Sequence, residues 1–425
     1  MAARRFIALL SLLPAFALAS PSPDDTLLAN AEQERPAFLD TLKTLVNLDS
    51  GTGDVDDLAR VEALLQERLV GLGFAVEQHP AEAFGGNTLV ARHQGSGDAD
   101  LMLMIHYDTV FSSGTVAKRP FSSDASRAYG PGVGDAKGGI AVILHSLGLL
   151  DDLELSPWGT LTVVFNPDEE KGSFGSRELI AELASEQDAV LSFEPTLGKP
   201  GESAVTTVTK GINYAFLEVE GRASHAGGAP EEGRNAVMEL AHQLLQLDDL
   251  GDSDKGTTLN WTIVEGGTKR NIIPDSARAE GDMRYFDHTE YERVMAEAEE
   301  IIAEQRVPDT QVAFRLERGR PPLPPNPATE QLAALAQSIY RQELDQTLAL
   351  AEIGGGTDAG YAYDPETGQP AVLESLGLVG GRYHSDEEFI ELDSIVPRLY
   401  LATRLIQELS EPSAATLARS RSMLA

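Results

Sequence analysis

No cysteine occurs among the 425 residues. That one absence removes disulfides, thiol nucleophiles, thiolate zinc sites and iron–sulfur clusters together, so a bound metal has only histidine and carboxylate side chains to hold it. Positive charge is scarce as well: 33 Lys and Arg stand against 67 Asp and Glu, a formal charge of −34. A chain so anionic repels phosphate backbones and anionic lipid surfaces, which argues against nucleic-acid and membrane partners. Long apolar runs are also missing, since the stretch from Phe6 to Leu18 falls short of the roughly 20 residues that a membrane span needs. That stretch follows Arg4 and Arg5 and closes on Ala17-Leu18-Ala19, the order of charged start, apolar middle and small-residue end found in secretory signals. Residues 1–19 are therefore expected to be a signal peptide, and the mature protein to be periplasmic or secreted. Hydrophobic residues make up 42% and charged ones 24%, enough apolar material for a folded chain.

Apolar residues recur at three and four from about Ala29 to Leu72, a helical pattern. Short apolar runs of strand type follow at Phe74-Ala75-Val76, Thr88 to Ala91, Leu101 to Ile105, Thr160 to Phe165 and Ala189 to Phe193, with helical stretches from Gly138 to Leu150 and Gly175 to Leu183. Near-continuously apolar strands alternating with helices predict an α/β unit whose sheet is covered on both faces. Near Val205 the character changes. The order becomes strand (211–221), helix (235–247), strands (258–264 and 277–285), helix (288–303) and strand (311–316), a ferredoxin-like α+β layer. A proline-dense stretch from Gly319 to Pro327 marks its exit, after which helices from Thr329 and Ser394 flank an apolar strand at Ala371 to Leu373. The expected organisation is a catalytic α/β domain at 25–206 and 320–411, a smaller domain inserted at 207–319, and a tail at 412–425.

Chemistry-bearing residues sit where strands end. His106 closes the run from Leu101, and Asp108, two residues on, returns to the same face, where it can hold the imidazole and fix its tautomer. Asp135 occupies a glycine-dense loop, Gly130-Pro131-Gly132-Val133-Gly134-Asp135, that opens a helix. Asp168-Glu169-Glu170 follows the strand that ends at Phe165, Glu194 follows the one that ends at Phe193, and His384 lies far downstream. Of two adjacent carboxylates, one can bind a cation while its neighbour serves as general base. Two His and three acids (His106, Asp135, Glu170, Glu194, His384) are nitrogen and oxygen donors suited to zinc, and one bridging acid with two terminal ligands per ion accommodates a pair. Hydrolysis is the chemistry such a pair serves. A two-lobed exported solute-binding protein is a competing reading that needs neither Glu169 nor converging metal donors, so bound metal separates the two.

The strings His106-x-Asp108-Thr109-Val110, Gly130-Pro131-Gly132-x-x-Asp135-x-Lys137-Gly138-Gly139, Asp168-Glu169-Glu170-Lys171-Gly172, Phe193-Glu194-Pro195, Ala223-Ser224-His225-Ala226-Gly227 and Tyr383-His384-Ser385 resemble the di-zinc aminoacylase/carboxypeptidase family of metallopeptidases, and most of all its bacterial periplasmic, folate-hydrolysing glutamate carboxypeptidases. The likeness runs from about Leu39 to Leu409. It implies a zinc-peptidase-like catalytic domain with a mixed sheet between helices, plus an inserted lid through which two chains dimerise. It also implies two Zn2+ per chain, one on His106, Asp135 and Glu194, the other on Asp135, Glu170 and His384. Glu169 becomes the general base, Asp108 the residue that orients His106, and His225 a lid histidine that polarises the scissile carbonyl across the dimer. Asn271 and Arg284 match positions that hold the substrate's terminal carboxylate, for which a guanidinium fork is a fitting donor, while Arg320 and Gly356 match lining positions. The implied substrate is a peptide or N-acyl compound with a free C-terminal carboxylate, glutamate foremost. N-acyl-amino-acid or N-succinyl deacylation, or dipeptide hydrolysis, is the alternative on the same fold. One departure bears on glutamate: residues 202–209 contain no Lys ahead of Lys210.

Overall fold

The computed structural model describes residues 24–196 and 201–411. The expected signal at 1–19 and tail at 412–425 lie outside these residues. Among the described residues no helix is long and apolar enough to cross a membrane.

A six-stranded mixed sheet organises the larger part of the chain, in the order Ala75–Pro80, Asn87–Gln94, Thr160–Asn166, Leu101–His106, Ala189–Ser192, Ala371–Leu373. The first three strands pair antiparallel and the rest parallel. Strand Leu101–His106 is buried from end to end, and its alternation feeds two cores. Leu103 and Ile105 join Leu89, Val163, Phe165 and Leu191 on one face, while Met102 and Met104 join Val90, Val164 and Val190 on the other. With both faces covered, the strand has no polar side to present, which is why its sequence reads as an unbroken apolar run. Register then does the positioning. His106 lies opposite Asn166, and Met104 opposite Ser192, so the segments that leave these three strands emerge side by side at the carboxyl edge.

The apolar periodicity between Ala29 and Leu72 is not one helix but two, Asp25–Val46 and Val55–Gly71. Residues 47–54, Asn-Leu-Asp-Ser-Gly-Thr-Gly-Asp, are turn formers, and Asp49 takes up the loop by accepting N–H bonds from Gly114 and Val116, both at 2.9 Å. Two small sheets have no clear counterpart in the sequence pattern. Ala204–Thr209 pairs parallel with Ala349–Ile353, and Gly380–Gly381, Phe389–Glu391, Arg127–Tyr129 and Ser122–Ser123 form a second sheet.

The ferredoxin-like layer is present. Its antiparallel strands are ordered Thr258–Gly266, Ser276–Tyr285, Gly211–Glu220, Gln311–Arg318. Helices Ala236–Leu247 and Thr289–Ile302 close one face, with Leu240, Val294 and Ala298 against Ala215, Leu217 and Val219 in a core of its own. Tyr214 points to the opposite face, toward the cavity described next.

Candidate metal centre

Asp135 lies where the glycine-dense loop turns into helix Lys137–Asp152, and two close approaches explain the glycines. A Cβ on Gly139 would stand 2.0 Å from the Phe193 carbonyl oxygen, so the helix meets the strand end only without a side chain there. Gly132 has φ +72°, a left-handed conformation that glycine adopts at little cost. The loop is held from both sides. Glu388 accepts N–H bonds from Gly132 (3.1 Å), Gly134 (2.9 Å) and Asp135 (3.0 Å), and the Lys137 ammonium donates to the carbonyls of Leu48 (2.7 Å) and Pro131 (3.3 Å). Burial pushes Glu388 up to about 7 and Lys137 down to about 8. Glu388 was not among the expected residues, and one more acid in a chain with 67 leaves no signal.

The carboxylate of Asp135 faces two imidazoles, one per oxygen. Oδ1 is 3.1 Å from His106 Nε2, and Oδ2 is 3.1 Å from His384 Nε2. Glu194 Oε1 stands 3.5 Å from His106 Nε2, and Glu170 Oε2 3.2 Å from His384 Nε2. Two triads result, His106–Asp135–Glu194 and Asp135–Glu170–His384, each with its donor atoms within 4.8 Å of one another and Asp135 common to both. All five expected ligands thus meet, although they span the chain from 106 to 384.

The donors fit divalent cations, and the geometry shows why. Nδ1 of His106 faces Asp108, at 3.1 Å from Oδ1 and 3.0 Å from the backbone oxygen. With its proton held there, the Nε2 lone pair is left for a cation. Asp108 also accepts from Thr52 Oγ1 (2.6 Å) and from the N–H groups of Glu169 (3.1 Å) and Glu170 (3.2 Å), so one buried carboxylate ties the ligand histidine to the acidic turn. Glu170 Oε1 is buried with no hydrogen-bond partner, a cost that a cation relieves. Burial pushes Glu194 well above the usual carboxylate range and raises Glu170. For His106 burial acts downward, but Glu194, Asp108 and Asp135 outweigh it and hold the ring well above its ordinary value. Hydrogen bonds to Asp135 and Glu170 push His384 up to about 11. Carboxylates this crowded answer to positive charge, and a mixed imidazole and carboxylate set suits zinc or its neighbours.

Glu169 and Asp168 part company. Asp168 turns away and accepts from Gly175 N–H and Ser176 Oγ, both at 2.6 Å. Glu169 is buried at the centre, and Arg320 donates to both its carboxylate and its backbone carbonyl while reaching the Gly356 carbonyl at 3.1 Å. Burial raises Glu169, and Arg320 opposes that shift without cancelling it. Arg320, expected as a lining residue, therefore also clamps Glu169.

A cavity of about 560 Å³ opens over these groups and takes in Glu169, Glu170, Arg284, Arg320, Gly356 and His384. Arg284 forms a fork with Asp282, at 2.7 and 3.0 Å, and its Nη1 reaches the Gly354 carbonyl only at 3.4 Å. His225 and Asn271 do not line this cavity. They lie together in the inserted layer, where Ser224–His225 pairs with Ile272–Ile273 and Ala226 N–H donates to the Asn271 carbonyl at 3.0 Å. His225 is exposed, and its Nδ1 accepts from the N–H groups of Gly227 (3.2 Å) and Gly228 (2.9 Å).

Comparison with known proteins agrees with this geometry. Residues 102–408 match the model of peptidase family M20/M25/M40. Carboxypeptidase G2 of Pseudomonas sp. (strain RS-16) is 42% identical over 389 residues, 91% of this chain and 92% of that protein. Among solved structures, the aminopeptidase PepT of Bacillus cereus superposes with a TM-score of 0.74 at 21% identity, covering 89% of this chain and 99% of its own. The Bacillus subtilis YXEP protein, described as a dinuclear metal binding peptidase, gives 0.65 at 15% identity, covering 90% and 99%. With a family match over most of its length and a relative at 42% identity, the chain belongs to peptidase family M20/M25/M40 and is a metallopeptidase.

Proposed function

We propose that the protein is an exported metallocarboxypeptidase that hydrolyses the amide bond before a C-terminal amino acid, glutamate in peptidyl or folate-like N-acyl substrates. One observation carries the reading: two imidazole and carboxylate triads share Asp135 beside a buried, clamped Glu169. The 42% identity to carboxypeptidase G2 supports the carboxyl-terminal choice, and Arg4, Arg5 and the apolar run ending at Ala19 support export. The inserted lid is taken as 207–319, between the catalytic segments 25–206 and 320–411.

His106, Asp135 and Glu194 would hold one ion, and Asp135, Glu170 and His384 the other, and zinc is the ion that would best suit this donor set. When bound, such a pair acidifies water and polarises the scissile carbonyl. The protein's own groups do the rest. Glu169 takes the proton of the attacking water and returns it to the leaving nitrogen, and the upward shift of its carboxyl brings it nearer the working pH. Arg320 keeps that carboxylate aimed, and Asp108 keeps the His106 proton on Nδ1. Arg284, through its loosely tied Nη1, and Gly356 bound the part of the cavity assigned to the substrate's terminal carboxylate. Given zinc, the enzyme is expected to cleave N-acyl-glutamate and folyl-glutamate and to leave N-acetylornithine intact. Release of ornithine without release of glutamate would overturn the assignment.

His225 and Asn271 stand outside their own chain's cavity, which supports a homodimer in which the partner's lid supplies them. Strand Thr258–Gly266 is an edge strand with Ile263 and Val264 exposed, a surface suited to a second copy. Mixing inactive H225A chains with inactive E169Q chains is expected to restore part of the activity, because mixed dimers own one intact site. Light scattering that finds a monomer, or a mixture that stays inactive, counts against the arrangement.

A further inference from the structure

Three Lys or Arg residues, Lys171, Arg284 and Arg320, line the cavity, and their side chains are engaged differently. Arg284 is forked onto Asp282, and Arg320 is committed to Glu169 and the Gly356 carbonyl. Lys171 is exposed, and among the described residues its ammonium has neither a hydrogen-bond nor an ion-pair partner. Its backbone is not loose. Lys171 N–H donates to the Asp168 carbonyl at 3.2 Å and Gly172 N–H to the Glu169 carbonyl at 2.8 Å, so the turn that carries Glu169 and Glu170 fixes where the lysine starts. Lys43, Lys118 and Lys269 are also without such a partner among the described residues, but of these four lysines only Lys171 lines the cavity. The field of a chain with 67 acids and 33 bases repels an anionic substrate, and a local cation at the cavity offsets the repulsion where the substrate must dock.

The lysine missing from residues 202–209 bears on the same point. The next one, Lys210, is not free to replace it: its ammonium donates to the Gly256 carbonyl and lies 4.8 Å from the centre of the Phe286 ring. We propose that Lys171 binds the side-chain carboxylate of an acidic substrate residue and sets the preference for that residue over its neutral isostere. The inference rests on the carboxypeptidase reading and names the specificity residue of that site. A compact charge on a flexible stem suits a carboxylate that varies in reach, as between aspartate and glutamate.

The test uses the full metal-loaded chain with matched N-acyl substrates ending in Glu or Gln, and calorimetry of L-glutamate and L-glutamine binding. K171M is expected to lower the Glu/Gln ratio of kcat/KM about tenfold, the size of one charge-assisted hydrogen bond, acting through KM for the Glu substrate. K171R is expected to recover most of that ratio, and K171M to weaken L-glutamate binding by a similar factor. Equal changes on both substrates, or none, would overturn the assignment. If the wild-type chain cleaves neither substrate, the carboxypeptidase reading fails by itself, and calorimetry still decides whether Lys171 selects glutamate.

Discussion

Exchanging Glu169 for Gln is expected to lower kcat by about 10²–10⁴-fold, the usual worth of a positioned proton-transfer group, and to leave KM within a few-fold. The exchange isolates proton transfer because it keeps nearly everything else. Gln has the volume of Glu, its carbonyl oxygen still accepts from Arg320, and the backbone contacts of residue 169 to Asp108 and Arg320 are untouched. What disappears is the ability to take a proton. Amide hydrolysis at saturating substrate, measured with the metal content of both proteins, checks the claim: unchanged metal with collapsed turnover supports it, and full turnover sinks it.

Asp135→Asn is expected to act on both ions at once. Each oxygen of Asp135 faces a different imidazole, 3.1 Å from His106 and 3.1 Å from His384, so an amide nitrogen must replace an acceptor in one triad or the other. The exchange also removes a negative charge from the middle of the site. Metal binding should fall below two ions per chain by elemental analysis after dialysis. Loss of several kcal/mol of charge stabilisation corresponds to about a thousandfold in rate. A D135N protein that keeps both its metal and its rate would contradict the bridging role.

Much of this site was legible because the strands that carry it are buried on both faces. A run such as Leu101 to Ile105 announces a strand, a polar residue at its end announces the edge, and the same reading applies ahead of Glu169 and Glu194. The ferredoxin-like layer was legible from strand alternation and from helices whose apolar spacing survives into Leu240, Val294 and Ala298. The break at residues 47–54 was harder, since apolar spacing on either side continues as if one helix ran through it. Glu388 was not legible at all: its role is to accept three backbone N–H bonds from a loop some 250 positions earlier, and no local pattern encodes that. Arg320 shows a subtler limit. Its place at the cavity could be expected, whereas its grip on Glu169, 151 positions away, depends on a fold that brings both under the same roof.

Residues near the end of the described chain complete what earlier segments begin. His384 closes the second triad and Glu388 anchors the loop that presents Asp135, both from the stretch between Gly380 and Glu391. A chain emerging from the ribosome therefore lacks the second triad, and the anchor of the loop that carries Asp135, until residues 384 and 388 have been added and folded into place.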